Sequence, residues 1–176
     1  HKRKDPKFKY KFMMDEPSEE GFQLLLRFNA SAMHQDVYWN TLHCAAYEYA
    51  LETFHILFSN MPAESQRKSA LRSRNHKGET LLHFASAGAQ VDTVKYLLSN
   101  DVGLHVDEAT SRGWTLLLSA LAPALPMIAG LSRKLETAQL LTPQGANPVV
   151  TTHNGWTPLH CLAMYPGRNG IDEEAR

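Results

Sequence analysis

The sequence holds only two cysteines, Cys44 and Cys161, in 176 residues. Each sits in an apolar stretch of helical character, which favours reduced, buried thiols over a disulfide framework and an intracellular setting, cytoplasmic or nuclear. An excess of charge is also missing, since 18 Lys+Arg balance 18 Asp+Glu. Dedicated nucleic-acid binders show a basic excess on one face, so the balance speaks against that class. No run approaches the ~18–20 apolar residues that span a bilayer, and no signal peptide is visible. C-x-x-C, H-E-x-x-H and G-x-S-x-G are all absent, and the 10 glycines are too scattered to cradle a phosphate. These absences leave no catalytic residues, metal, cofactor or small-molecule substrate to expect.

What is present is an ordinary globular composition, 43% hydrophobic, with one local bias. The opening "HKRKDPKFKYK" carries Lys2, Arg3, Lys4, Lys7, Lys9 and Lys11. Such a run reads as a solvated leader, or alternatively as a nuclear-import or polyanion-binding tail. The chain opens on His1 rather than methionine, as expected of a piece of a longer protein.

A repeat follows the leader. "NTLHCAA" from Asn40, "TLLHFAS" from Thr80, "TLLLSAL" from Thr115 and "TPLHCLA" from Thr157 share leucine in the third place. Three of them keep histidine in the fourth: His43, His83 and His160. Gly78, Gly113 and Gly155 each stand two residues before a threonine. Second halves recur too, as "ETFHILF" from Glu52, "DTVKYLL" from Asp92 and "ETAQLLT" from Glu136, each with an acidic start that suits a helix N-terminus. Asn29 in "LLLRFNASAMHQD" and Gly145 in "LLTPQGANPVV" stand where a left-handed C-cap is needed.

The paired halves resemble the ankyrin-repeat family, whose ~33-residue unit carries a T-P-L-H-x-A signature. The resemblance covers residues 22–165 and implies an all-α solenoid of stacked helix-turn-helix units joined by short hairpin-like loops. About four units are expected: 22–36 in part, 37–74, 75–109, 110–150, and 151–165 in part. Residues 1–21 form the leader, and 166–176 form a frayed tail or the start of a missing helix. "MPAESQRK" (61–68) reads as a lengthened link and "APALPMIAGLSRK" (122–134) as a lengthened turn. The apolar residues Leu125, Met127, Ile128 and Leu131 of that turn either fold back on their unit or offer a second docking patch.

Within a unit, threonine caps the first helix and Pro158 suits its first turn. Leu42, Leu82, Leu117 and Leu159 are expected to point inward, and Ala45, Ala85, Ala120 and Ala163 to let neighbouring first helices approach. Leu57, Val94, Leu97, Leu98, Leu140 and Leu141 make the buried stripe of the second helices. The family resemblance makes His43, His83 and His160 structural braces, with Leu118 standing in for the third. The adjacent pairs His43-Cys44 and His160-Cys161 are poor zinc ligands, because consecutive helical residues point about 100° apart.

All three tryptophans share one place in the repeat: Trp39, Trp114 and Trp156. The resemblance puts this place on the finger side of the concave surface, where partners dock. Aromatic residues gathered at a surface are enriched among binding hot spots, although an indole there also serves stacking. The expected partner-binding row is therefore Trp39, Trp114 and Trp156, flanked by Lys77, Glu79 and Arg112, with Tyr38, His76 and Asn154 at the tips. The function so implied is non-catalytic binding of another protein. Two alternatives stand beside it: a regulatory or substrate-presenting tail of a larger enzyme or signalling ATPase, and nuclear or polyanion binding through the leader.

Overall fold

A computed structural model describes residues 41–48, 51–61, 63–99, 105–123 and 131–164. The leader and first partial unit, Tyr38, Trp39, the Asn29 cap, Leu125, Met127, Ile128 and the tail from 166 lie outside the described residues. Within them the chain is helical. Four short helices begin at or beside the repeated motif: α1 (Thr41–Glu48), α4 (Leu81–Ala87), α6 (Leu116–Leu121) and α8 (Pro158–Ala163). Each of the first three is followed by a second helix: α2 (Leu51–Ser59), α5 (Val91–Ser99) and α7 (Leu131–Leu141). One more, α3 (Glu64–Arg72), begins inside the stretch 61–68 read from sequence as a link and runs past its end.

The first helices stack in the order α1, α4, α6, α8, and α5 lies between α2 and α7 in a second row. Such helices are too short to be stable alone, so their stability comes from this lateral packing. Leu42, Leu82 and Leu117 are at most 4% exposed, and Ala45, Ala85 and Ala120 at most 1%. Burying each leucine contributes about 1.5–3 kcal/mol. Leu57, Val94, Leu97 and Leu141 form the buried stripe of the second row as expected, whereas Leu98 and Leu140 are only half-buried.

Two expectations for the last unit fail. Leu159 is 76% exposed, because among the described residues no further layer covers that side of α8. The place matching Ala45, Ala85 and Ala120 belongs to the half-buried Leu162, while Ala163 is exposed. Inwardness at these positions is a property of the neighbouring layer rather than of the residue.

Glycine acts differently at two places. Gly145 (φ 96°) closes the 3-10 turn Thr142–Gln144 after α7, where the left-handed backbone suits glycine. Gly88 ends α4 with an ordinary φ of −77°, yet a Cβ there would lie 1.9 Å from the Tyr47 carbonyl oxygen. The side chain of Gln90 donates to that same oxygen at 3.2 Å. The close approach of α1 to α4 is thus specified by a missing side chain.

Lys134 was not singled out by the sequence, but it is 1% exposed and its Nζ donates to the Ala122 carbonyl. This bond ties the C-terminal end of α6 to the first turn of α7. Burial pushes the ammonium below its ordinary pKa, and the buried Cys161 thiol nearby is pushed up for the same reason. Removing a buried donor strands its acceptor. Lys134→Ala should lower unfolding free energy by about 2 kcal/mol in a urea titration. An unchanged midpoint would show that the bond does not hold α7 to the end of α6.

Candidate hairpin-row interface

Three loops precede the first helices α4, α6 and α8, and each folds the same way. In the first, Asn75 N donates to Glu79 O at 3.0 Å and Gly78 N donates to Asn75 O at 2.9 Å. In the second, Thr110 N donates to Trp114 O and Gly113 N to Thr110 O, both at 2.9 Å. The third repeats this with Thr152 N to Trp156 O and Gly155 N to Thr152 O, again both at 2.9 Å. Gly78, Gly113 and Gly155 take φ of 75°, 78° and 79°, the left-handed region that glycine enters without cost.

The first residue of each hairpin also secures the turn from its side chain. Asn75 Oδ1 accepts from both Lys77 N and Glu79 N at 2.9 Å. Thr110 Oγ1 accepts from Trp114 N at 3.1 Å, and Thr152 Oγ1 accepts from Trp156 N at 3.0 Å. These three residues were missed at the sequence level. Their signal was available: a short side-chain acceptor four residues before each Glu or Trp.

The hairpins are joined laterally. Ser111 N donates to Lys77 O at 2.8 Å, and His153 N donates to Arg112 O at 3.0 Å. This alignment makes His76, Ser111 and His153 equivalent, and likewise Lys77, Arg112 and Asn154. Asn154 therefore matches Lys77 and Arg112, not His76. Ser111 and His153 belong to the row although the sequence reading omitted them.

Histidine ties the row to the helices. Thr80 N donates to His83 Nδ1 at 3.3 Å, which makes Nδ1 an acceptor and leaves the proton on Nε2. Nε2 then donates to Trp114 O in the next hairpin at 3.1 Å. The Thr80 hydroxyl lies 2.9 Å from Nδ1 and completes the helix cap. Burial drives the His83 pKa down to about 4, because the charged ring would lose its solvation. His43 is equally buried, also lowered to about 4 by burial, with its ring 4.7 Å from that of Phe84. Leu118 replaces the imidazole in the third unit, so Thr115 Oγ1 accepts only the cap bond from Leu118 N at 3.4 Å. His160 caps α8 through Thr157 Oγ1 at 2.7 Å and lies exposed, its ring 6.3 Å from that of Trp156.

The described members of that row lie on these three successive hairpins. Trp114, Trp156, Lys77 and Glu79 are half-buried, and His76, Arg112 and Asn154 are exposed. Among the described residues, no group of three or more His, Cys, Asp or Glu side chains is placed to hold a metal ion. Nor is any described helix long and apolar enough to cross a membrane.

A family model for ankyrin repeats in three copies matches residues 14–108, more than half of the chain. A search of curated proteins gave no match. The helix pairs, the capping threonines and the left-handed glycines carry the same pattern past that match as far as α8. The chain belongs to the ankyrin-repeat family.

Proposed function

We propose that the chain is a non-catalytic docking module that binds another protein through the hairpin row and the adjoining face of the first helices. Ankyrin repeats are in general protein–protein interaction modules. The observation that carries the reading is the pair Trp114 and Trp156. Both indoles are half-exposed at one register of successive hairpins, on backbone held by two lateral bonds and by turn bonds from Thr110 and Thr152. A partner meeting such a surface finds large apolar groups that are already ordered, so little entropy is lost on binding.

Replacing both tryptophans with alanine should weaken partner binding by about 2 kcal/mol, measured by calorimetry on the intact chain. A lowered melting temperature with unchanged affinity would assign the indoles to stacking and remove the docking role.

A further inference from the structure

The residue before the left-handed glycine differs from hairpin to hairpin: Lys77, Arg112 and Asn154. In the third hairpin the side chain ends in a carboxamide, and the residue after it has no side chain at all. That pairing is reactive. The backbone nitrogen after an asparagine can attack the side-chain carbonyl carbon, and glycine leaves its approach unhindered because it lacks a Cβ. The surroundings sharpen the contrast. A Cβ on Gly78 would lie 3.2 Å from Ser111 N, and one on Gly113 would lie 3.0 Å from His153 N. Around Gly155 nothing lies within 4 Å. Asn154 is exposed, and among the described residues no hydrogen bond holds its carboxamide.

The other described asparagines are placed differently. Asn75 precedes His76, and its carboxamide is engaged at both ends. Its Oδ1 accepts from Lys77 N and Glu79 N, and its Nδ2 donates to Glu79 Oε2. Asn60 precedes Met61, and its Nδ2 donates to Ile56 O at 2.7 Å. Asn147 precedes Pro148, whose nitrogen carries no proton, and its Oδ1 accepts from Val149 N at 3.0 Å.

We infer that Asn154 is a self-modification site, where the Gly155 nitrogen expels the side-chain amide as ammonia and aspartate or isoaspartate remains. The Gly155 nitrogen gives its proton to solvent base and bonds to Asn154 Cγ. The Cγ–Nδ2 bond breaks, and Nδ2 takes a proton from water to leave as ammonia. Water then opens the succinimide at either carbonyl, so the step needs water and no oxidant, reductant or partner. The turn acts as the brake. Gly155 N donates to Thr152 O at 2.9 Å, which holds both the proton and the nitrogen in place. The reaction therefore runs from the opened hairpin, and hairpin closure sets its rate. Isoaspartate lengthens the main chain by a methylene between Thr152 and Trp156, against the 2.9 Å bond from Thr152 N to Trp156 O. Either product adds a carboxylate beside Trp156.

The test holds the intact chain in mildly alkaline buffer and follows it by tryptic digestion and mass spectrometry. Arg168 separates Asn154 from Asn169, which also precedes glycine, so the two are read in different peptides. Asn154 should gain the mass of OH in place of NH2, with isoaspartate exceeding aspartate, ahead of Asn60, Asn75 and Asn147. Asn154→Gln should abolish the gain. Thr152→Val removes the hydroxyl that accepts from Trp156 N at 3.0 Å, and it should speed the gain about fivefold. Circular dichroism checks the fold of that variant; if it does not fold, the unaltered chain unfolded in urea supplies the faster arm. An Asn154 that stays intact, or lags the other three, overturns the site. A rate that the folded Thr152→Val variant leaves unchanged overturns the brake and leaves the site standing.

Discussion

Acidifying the protein from pH 7 to pH 4.5 should remove about 5 kcal/mol of its stability through two buried histidines. His43 and His83 each fall from 6.5 to about 4 through burial. A folded-state pKa below the unfolded value means that the unfolded chain binds more protons between those limits. Stability from these residues is therefore complete above about pH 6.5 and is lost as the pH falls toward 4. Each drop corresponds to about 3 kcal/mol, so the pair supplies roughly 6 kcal/mol. Domains of this size have only about 5–15 kcal/mol in hand. Urea unfolding at pH 7, 6 and 5 should show a steadily falling midpoint, and His83→Gln should flatten the slope by about half. A midpoint that stays level from pH 7 to 5 would contradict the neutral Nδ1-acceptor state described for His83.

Gly88→Ala should destabilise the array by at least about 3 kcal/mol, although the backbone there is ordinary for any residue. The added methyl would lie 1.9 Å from the Tyr47 oxygen and 2.8 Å from its carbon, both backbone atoms that cannot rotate aside. Accommodating it means moving α1 off α4 and losing buried contacts along both helices. Gly155→Ala provides the contrast. Its φ is +79°, but no atom lies within 4 Å of the added Cβ. Only local strain applies, about 1 kcal/mol. Thermal unfolding of the two variants compares them directly. Equal losses would mean that the α1–α4 approach is not the constraint described.

Much of this was legible in the chain itself. Thr80, Thr115 and Thr157 cap helices because the hydrogen bond is local, reaching only three residues ahead. Gly78, Gly113 and Gly155 mark turns because positive φ is a property of one residue. Trp114 and Trp156 fall in register because the repeat does. Lys134 was read as the end of the lengthened turn 122–134, although Lys134, Thr137, Ala138 and Leu141 follow the i, i+3, i+4, i+7 spacing of a buried helical face. The α3 segment, with Glu64 in its first turn, Arg72 in its last and a Glu64–Lys68 pair at 2.7 Å, was missed because its first half lay in the stretch 61–68 read as a link.

The amino-acid order alone determined the unit, its caps, its turns and its family, since each depends on neighbours within a few residues. The stack decided the rest. Leu159 is exposed while Leu82 is buried, Gly88 is required while Gly155 has room, and His83 reaches Trp114 across 31 positions of chain. The cause in every case is lateral: a side chain's environment in a solenoid is set by the next layer, and that layer is distant in sequence.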